Sequence, residues 1–340
     1  MIPWPETAIE RLYSRGVYLR LQPLVTGATN LVPVAIGDLA WGGLVVWLAW
    51  TWFGPIRARP ARPAVVRAVR RTVTVAAIVW LVFLGCWGLN YRRVPLLAQP
   101  GVARAEATEA DVEALGWLVV EQMNGLHAAA HAATWPTDRE LTSRLAPAFA
   151  DAQREIGLPR AATAGRPKPT WLGWYFERAA VAGMTNPLGL EVYITPGALP
   201  FERPAILAHE WAHLAGFADE SDAGLVGWVI CQRGDVQAQY SAWLDLYPRV
   251  WSAVGSETRR ALVSAVDAGP RHDLEAIAAR LARVSPTVRR VAWEGYDRFL
   301  RSQGVAEGVD SYDRVVVALL RSRWNPVDRG DTASGTVPVR

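Results

Sequence analysis

Two long apolar stretches near the amino terminus dominate the hydrophobic pattern of this chain. Residues 31–53 are apolar almost throughout, interrupted by Asp38, and residues 72–89 form a second, shorter stretch. A helix needs about 20 apolar residues to cross a bilayer, so the pattern predicts a transmembrane hairpin over residues 31–93. Neither stretch has the compact cleavage site of a secretory signal. The lipid bilayer is therefore an expected partner.

Positive charge between the two apolar stretches predicts their orientation. Residues 54–71 contain six arginines and no acidic residue. Because cytoplasmic loops concentrate Arg and Lys, this linker is expected in the cytoplasm, with the carboxyl-terminal domain on the outer side of the cell membrane. Residues 1–30 are predicted to form an arm on the membrane surface. The basic linker suits anionic lipid head groups, so no nucleic-acid partner is expected.

The remainder of the chain is predicted to be mostly helical. Residues 94–107 are rich in Pro and Ala and are expected to be a tether, residues 108–325 a helical domain, and residues 326–340 a disordered tail. Residues 190–195 alternate between apolar and polar side chains, which predicts a half-buried strand. The expected fold class is mainly α (α+β): a two-helix transmembrane hairpin followed by a helical domain with a short edge strand.

The strongest chemical motif is His209-Glu210-Trp211-Ala212-His213. Residues four apart on a helix project from the same face, so the two imidazoles can bind one metal ion together. Glu210 lies about 100° further round the helix, where its carboxylate can act as a general base on a metal-bound water. The apolar residues around the motif argue against a solvated helix face. The motif therefore predicts Zn²⁺ held by His209 and His213, with Glu210 as the catalytic residue of a zincin-like domain.

A third protein ligand is expected on the helix that follows the turn at Gly216. Glu220 begins the sequence Glu-Ser-Asp-Ala, which resembles the metal-binding helix of membrane zinc peptidases. Asp219 instead fits the spacing of the metzincin pattern, and Asp222 is a further alternative. Because Asp219 can also cap the next helix, Glu220 is the expected ligand, and the other two acids stay open as alternatives.

With these residues in view, the chain resembles a bacterial family known as domain of unknown function 3810, whose members are regarded as membrane-anchored HExxH zinc peptidases. The resemblance covers nearly the whole chain and implies that architecture and activity here. Asp222 and Gly224 depart from the family pattern, which typically has Glu and Asn there, so any role of these two side chains is weakened and Glu220 is unaffected. The segments that carry the resemblance are residues 32–38, 87–93, 183–187, 209–217, 220–223, 239–241 and 308–312.

The motif and the hairpin together predict a membrane-anchored zinc endopeptidase that hydrolyses peptide bonds with a metal-activated water. Glu191 and Tyr193, on the polar face of the predicted edge strand, are expected to bind the protein or peptide substrate, because an extended peptide can add to such a strand. The alternative is an inactive zincin-like protein that binds peptides or partners. The intact Glu210 argues against this alternative, since a structural zinc site needs no base.

A second pair of histidines has the same spacing. His127 and His131 stand four residues apart on a predicted helix, separated by three alanines. Since no acidic residue lies between them and the surroundings are rich in alanine, the pattern favours ordinary helix positions. A second metal site is the alternative interpretation.

Overall fold

The computed structural model describes residues 4–57, 61–303 and 314–328. Within them the protein is mainly helical with one small sheet, which confirms the expected mainly α (α+β) composition. Residues 329–340 of the predicted tail and the motif at residues 308–312 lie outside the described residues. In chain order, the elements are α1 (Glu6–Ala8), a π-helix (Ile9–Val17), α2 (Tyr18–Asn30), α3 (Ile36–Arg57), α4 (Ala61–Cys86), two 3-10 turns (Gly88–Arg92 and Leu96–Ala98), α5 (Glu109–His131), α6 (Asp138–Ile156), β1 (Pro167–Lys168), α7 (Gly173–Ala179), β2 (Gly183–Asn186), β3 (Glu191–Ile194), α8 (Arg203–Leu214), α9 (Glu220–Gln232), α10 (Val236–Ala253), α11 (Ser256–Ala265), α12 (Ala268–Leu281), α13 (Pro286–Gln303) and α14 (Val315–Leu320).

Two helices are long and apolar enough to cross a membrane. The apolar windows cover Ile36–Pro55 in α3 and Arg62–Cys86 in α4, and only 17% and 6% of them are buried inside the protein. Their side chains therefore form an apolar outer surface of the kind that a bilayer covers. α3 begins at Ile36 rather than at residue 31, since Pro33 disfavours helix in the residue before it. α4 begins at Ala61 rather than at residue 72, because the arginine-rich linker continues the helix.

The amino-terminal segment, which the sequence predicts to be an arm on the membrane surface, packs into the core of the domain. Ile9, Tyr18 and Leu19 are at most 1% exposed and join the main hydrophobic core. The hydroxyl of Tyr18 donates to the carbonyl of Leu214 over 2.8 Å. The apolar side chains of this segment find a buried surface on the folded domain, which the local sequence does not reveal.

The segment expected to be a free tether is also packed against the domain. Leu96 and Val102 are 0% and 2% exposed. Just before them, Arg93 is ion-paired with Glu10, with Nη2 2.8 Å from Oε1. The apolar residues among the prolines and alanines of residues 94–107 therefore attach the segment to the core, and it is part of the domain.

The small sheet has the strand order β1-β3-β2. β3 runs parallel to β1, with Tyr193 opposite Lys168, and antiparallel to β2, with Ile194 opposite Gly183. The strand predicted over residues 190–195 is therefore the central strand, and the expectation of an edge strand there is wrong. β1 has two residues, too few to show an alternating pattern in the sequence, and β2 forms the edge that packs on α8.

Glu191 and Tyr193 lie against the start of α3. The carboxylate of Glu191 accepts hydrogen bonds from the backbone amides of Ile36 and Gly37 over 3.1 and 2.9 Å, where the positive end of the helix dipole favours an acid. Lys168 Nζ lies 2.5 Å from the same carboxylate, and both side chains are at most 1% exposed. The hydroxyl of Tyr193 donates to Glu191 over 3.0 Å. This buried network anchors the first candidate membrane helix on the sheet.

Removing the Glu191 carboxylate is expected to destabilise the protein strongly. In Glu191→Ala, Lys168 keeps a buried charge without its partner, and loss of one member of a buried pair costs about 3–5 kcal/mol. Asp151→Ala is the matched control, because the ion pair of Asp151 with Arg154 is solvent-exposed and such pairs contribute little. Thermal unfolding of the detergent-solubilised variants measures the difference. An unchanged melting temperature with a raised KM for peptide would restore the substrate-binding role of Glu191.

Candidate metal centre

Helix α8 carries the two histidines and the glutamate of the motif. Pro204 lies in the first turn of α8. Backbone amides in a first turn have no acceptor within the helix, so proline, which lacks the amide hydrogen, costs no helical hydrogen bond there. His209 and His213 lie one turn apart and project from the same side of the helix. Glu210 and His213 are 4% and 8% exposed. The motif is therefore held inside the domain, on a helix packed between other elements.

The chain reverses direction after α8 and brings α9 back against the motif. Gly216 adopts a φ of +87°, a conformation that favours glycine, and ends the helix. Gly227 then lets the two helices come together, because a Cβ at this position would lie 3.0 Å from the backbone of His209. This close approach places Glu220, the first residue of α9, beside the two imidazoles.

The side chains of His209, His213 and Glu220 converge on one point. Nε2 of His209 and Nε2 of His213 lie 3.1 and 3.4 Å from Oε2 of Glu220. All three ligand atoms lie within 4.8 Å of one another. In a tetrahedral zinc site with bonds of about 2.0–2.2 Å, ligand atoms are about 3.3–3.6 Å apart. The donor set is one that zinc accepts, and the two distances from the imidazoles to Glu220 are close to this spacing.

Hydrogen bonds behind these ligands orient them. Nδ1 of His213 lies 2.7 Å from the carbonyl oxygen of Phe217, so Nδ1 carries a proton and Nε2 is the nitrogen that can bind a metal once its own proton is displaced. The hydroxyl of Tyr296 donates to Oε1 of Glu220 over 2.6 Å and leaves Oε2 directed at the histidines. The indole of Trp87 donates to the backbone carbonyl of His213 over 3.2 Å. Partners of this kind fix the tautomer and direction of metal ligands.

The three groups are also coupled electrostatically. Burial raises the pKa of Glu220, but the adjacent imidazoles of His213 and His209 outweigh burial and hold this pKa well below its usual range. Burial lowers the pKa of His213, but the carboxylates of Glu220 and Glu210 and the carbonyl of Phe217 together outweigh burial and raise this pKa to about 9. Glu220 is therefore anionic near neutral pH and attracts a cation to the two histidines.

Glu210 lies beside the ligands and under strand β2. The hydroxyl of Thr185 donates to Oε2 of Glu210 over 2.9 Å. A Cβ at Gly183 would lie 2.7 Å from Oε1, so glycine is what lets the strand pass this close. Burial raises the pKa of Glu210, against the lowering effect of His213 and His209. A carboxylate with a raised pKa is a stronger base and is suited to proton transfer near neutral pH.

The two alternative third ligands are engaged elsewhere. Asp219 is the N-cap of α9, and its side chain accepts hydrogen bonds from the amides of Ser221 and Asp222 over 2.9 and 3.2 Å. Oδ2 of Asp222 accepts from the amide of Leu96 over 2.9 Å, and burial raises the pKa of Asp222 to about 7. Of the three acids, Glu220 is the one whose carboxylate meets both histidines.

A cavity of about 640 Å³ surrounds the site. A second cavity of about 420 Å³ lies between α3 and α4 and shares Phe83, Pro187 and Phe299 with the first. The site cavity therefore borders the apolar surface of the hairpin. Its largest apolar and aromatic wall residues include Phe83, Trp87, Tyr91, Phe176, Met184 and Phe299.

A comparison with known protein families assigns this chain to a family. The family model of DUF3810, described as a protein of unknown function, matches residues 13–320. The chain belongs to the DUF3810 family. Searches of curated proteins and of solved structures give no significant match. The family assignment confirms the resemblance seen in the sequence. Because the family has no known function, any activity of this DUF3810 protein has to be argued from its own site.

Sequence reasoning did not find every residue of this DUF3810 site. Thr185, which donates a hydrogen bond to Glu210, lies within the segment 183–187 that carries the family resemblance. The resemblance therefore pointed to this segment, but it did not single out Thr185. Tyr296, which bonds Glu220, lies on α13, far away in the sequence and without a local motif. The two predicted substrate-binding residues of β3 are buried beside α3 instead.

Proposed function

We propose that this DUF3810 protein is a membrane-anchored zinc peptidase. The observation that carries the proposal is the convergence of two imidazoles and a carboxylate within 4.8 Å. They lie in a cavity of about 640 Å³, with the buried carboxylate of Glu210 alongside. A site of three protein ligands that leaves a position open is typical of catalytic rather than structural zinc.

Each residue of the site has a role in this proposal. His209, His213 and Glu220 would hold the ion, which when bound supplies Lewis-acid chemistry by acidifying a water and polarising a carbonyl. Glu210 accepts a proton from the attacking water and delivers it to the leaving amine, as its buried position and raised pKa allow. Thr185 orients the Glu210 carboxylate, and Tyr296 orients Glu220.

The substrate would bind along β2 rather than at β3. β2 is an edge strand of the sheet, and its residues Gly183 and Thr185 contact Glu210. An edge strand offers free backbone groups to which an extended peptide can add. The aromatic and apolar cavity walls next to it favour a peptide with apolar side chains near the scissile bond. β2 thereby takes over the role predicted for Glu191 and Tyr193.

Removal of the metal is expected to abolish peptide hydrolysis reversibly. The full-length protein in detergent is treated with a zinc chelator, dialysed and incubated with a complex peptide mixture. Newly formed termini are then counted by mass spectrometry. We expect cleavage to fall to background and to return when zinc is restored. Magnesium is the matched control, because imidazole ligands select transition metals over magnesium. Undiminished cleavage by the chelated protein would contradict the proposal.

The proposal also places the protein in the cell membrane with two spans and the metal centre outside the cytoplasm. Among the described residues, Arg57 lies in the last turn of α3, and Arg62, Arg67, Arg70 and Arg71 lie in the first half of α4. Positive charge at that end of a hairpin favours its retention on the cytoplasmic side. The domain, which contains both the amino-terminal segment and the residues after α4, would then face outward.

This orientation predicts that external protease degrades the domain in intact cells. Cells are treated with protease after permeabilisation of any outer membrane, and the α8 region and a tag inserted at residues 58–60 are followed by immunoblotting. We expect loss of the domain signal and protection of the tag. The reverse pattern would show that the metal centre is cytoplasmic. It would contradict the proposed orientation but not the proposed chemistry of the site.

A further inference from the structure

A second cluster of metal-ligating side chains lies between α5 and α12, outside the cavity of the first centre. Nε2 of His131 and Nε2 of His127 lie 2.9 and 3.7 Å from the same oxygen, Oδ2 of Asp273. The three ligand atoms lie within 4.8 Å of one another. The two imidazole rings are stacked, with their centroids 4.4 Å apart. The two helices thus direct two imidazoles and a carboxylate to one point.

The burial of these side chains suits an ion that enters from solvent. Asp273 is 2% exposed, whereas the side chains of His127 and His131 are 26% and 31% exposed. A buried carboxylate is costly unless a cation or hydrogen bonds compensate it. The cluster therefore has an anionic ligand at its base and an open side through which an ion can reach it.

Residues around the cluster hold the ligands in position. The hydroxyl of Tyr240 donates to Oδ2 of Asp273 over 2.6 Å, and its ring packs edge-on against both imidazoles. A Cβ at Gly269 would lie 2.4 Å from Cε1 of His127, so glycine at the start of α12 lets the ring lie against that helix. Such contacts from outside the donor set are what orient metal ligands in proteins.

A buried donor beside the cluster has no partner within the described part of the chain. The indole Nε1 of Trp135 is buried without a hydrogen bond there, and its ring lies 5.4 Å from that of His131. Buried polar groups are usually paired, with ordered water where protein offers no acceptor. The indole therefore lies beside His131 as a polar group for which the described residues supply no acceptor.

We propose that His127, His131 and Asp273 bind a second zinc ion, with water completing its coordination. Two imidazoles and one carboxylate form the same donor set as in the first centre, and both are ligands that zinc accepts. The residue after His127 is Ala128, so this site lacks a glutamate at the position that Glu210 has in the first motif. This cluster therefore lacks the base that Glu210 supplies in the first motif, and the proposal assigns it binding of the ion between α5 and α12 but no hydrolysis.

Metal analysis of the full-length protein tests this site. Protein in detergent is equilibrated with buffered free Zn²⁺, and the bound zinc per chain is measured by inductively coupled plasma mass spectrometry. We expect two ions in the wild type and one in His127→Ala/His131→Ala. His272→Ala is the matched control, because it removes a histidine next to Asp273 that is not part of the cluster, and it should retain two ions.

The outcomes separate this site from the peptidase site. Loss of one ion in His209→Ala/His213→Ala, with the second ion retained, is expected if both proposals hold. A zinc content that is the same in His127→Ala/His131→Ala and in the wild type overturns the second site. If zinc is lost with His127 and His131 but is insensitive to His209 and His213, the second site stands and the peptidase proposal fails.

The visible spectrum of bound Co²⁺ tests directly whether the imidazoles coordinate the ion, independently of the number of ions bound. In the His209→Ala/His213→Ala background, Co²⁺ should give the visible bands of imidazole coordination, and these should disappear when His131→Ala is added. The side chain of His131 lies at the rim of the cluster and is 31% exposed, so its truncation is expected to preserve the fold, which circular dichroism verifies. Bands that survive His131→Ala and Asp273→Asn would overturn the proposal.

Discussion

Glu210→Gln is expected to lower peptide hydrolysis by at least about 10²-fold, the lower range for loss of a positioned acid–base group. Glutamine keeps the size of the side chain and can still accept the hydrogen bond from Thr185, but it cannot take a proton from water. His209, His213 and Glu220 are unchanged, so the zinc content should equal that of the wild type. Rates are measured on the peptide mixture at matched zinc content.

Glu177→Gln is the matched control for this prediction. It makes the same chemical change at an exposed carboxylate on α7, whose neighbouring Phe176 lines the cavity, and its activity should equal that of the wild type. Unchanged cleavage in Glu210→Gln would remove the basis for this mechanism. A wild type that binds zinc but cleaves nothing would favour the alternative function, a zincin-like protein that binds peptides or partners.

Glu220→Ala is expected to weaken zinc binding at the first centre by more than about 100-fold. Even outer partners of metal ligands contribute about 10–100-fold to affinity, and Glu220 meets both histidines directly while supplying the negative charge of the site. Competition with a chelating dye measures the affinity, and bound zinc should fall by one ion per chain. Tyr296→Phe removes the hydrogen bond to Glu220 and should give an intermediate loss of about 10–100-fold.

The neighbouring acids supply the controls for Glu220. Asp219→Ala removes a helix cap, which costs about 1 kcal/mol of stability, but it should retain zinc. Asp222→Asn should also retain zinc, since asparagine can still accept the hydrogen bond from Leu96 and no charge is left to bury. If Asp219→Ala strips the zinc while Glu220→Ala retains it, the metzincin-like arrangement is correct and our assignment of the third ligand is wrong.

The hairpin illustrates which features of a fold can be predicted from the local pattern of apolar and polar residues. A run of apolar residues long enough to cross a bilayer is a property of consecutive residues, so both candidate spans could be located in the sequence. Their ends could not, because arginines continue α4 back to Ala61. The packing of the amino-terminal segment escapes local pattern for a related reason. Tyr18 and Leu19 are buried by residues far along the chain, and no local pattern shows that surface.

The strands show a second limit. Alternation of apolar and polar residues identified β3 correctly as a strand, but it implied that Glu191 and Tyr193 face an open surface. In the structure both faces of β3 are covered, and the polar face holds a buried ion pair with Lys168. Partner strands as short as β1 and β2 leave little pattern, so the position of β3 within the sheet depended on pairing that only the fold reveals.

The sequence by itself determined the helix that carries His209, Glu210 and His213, because a four-residue spacing fixes the common direction of side chains within one helix. It also offered three acids just after Gly216 as candidates for a third ligand. The tertiary structure distinguishes their positions, since α9 packs at the distance that Gly227 permits and brings the Glu220 carboxylate to both imidazoles. The contact of His127 and His131 with Asp273 likewise arises from tertiary packing. More than 140 residues separate these partners along the chain, so their contact depends on how α5 packs against α12.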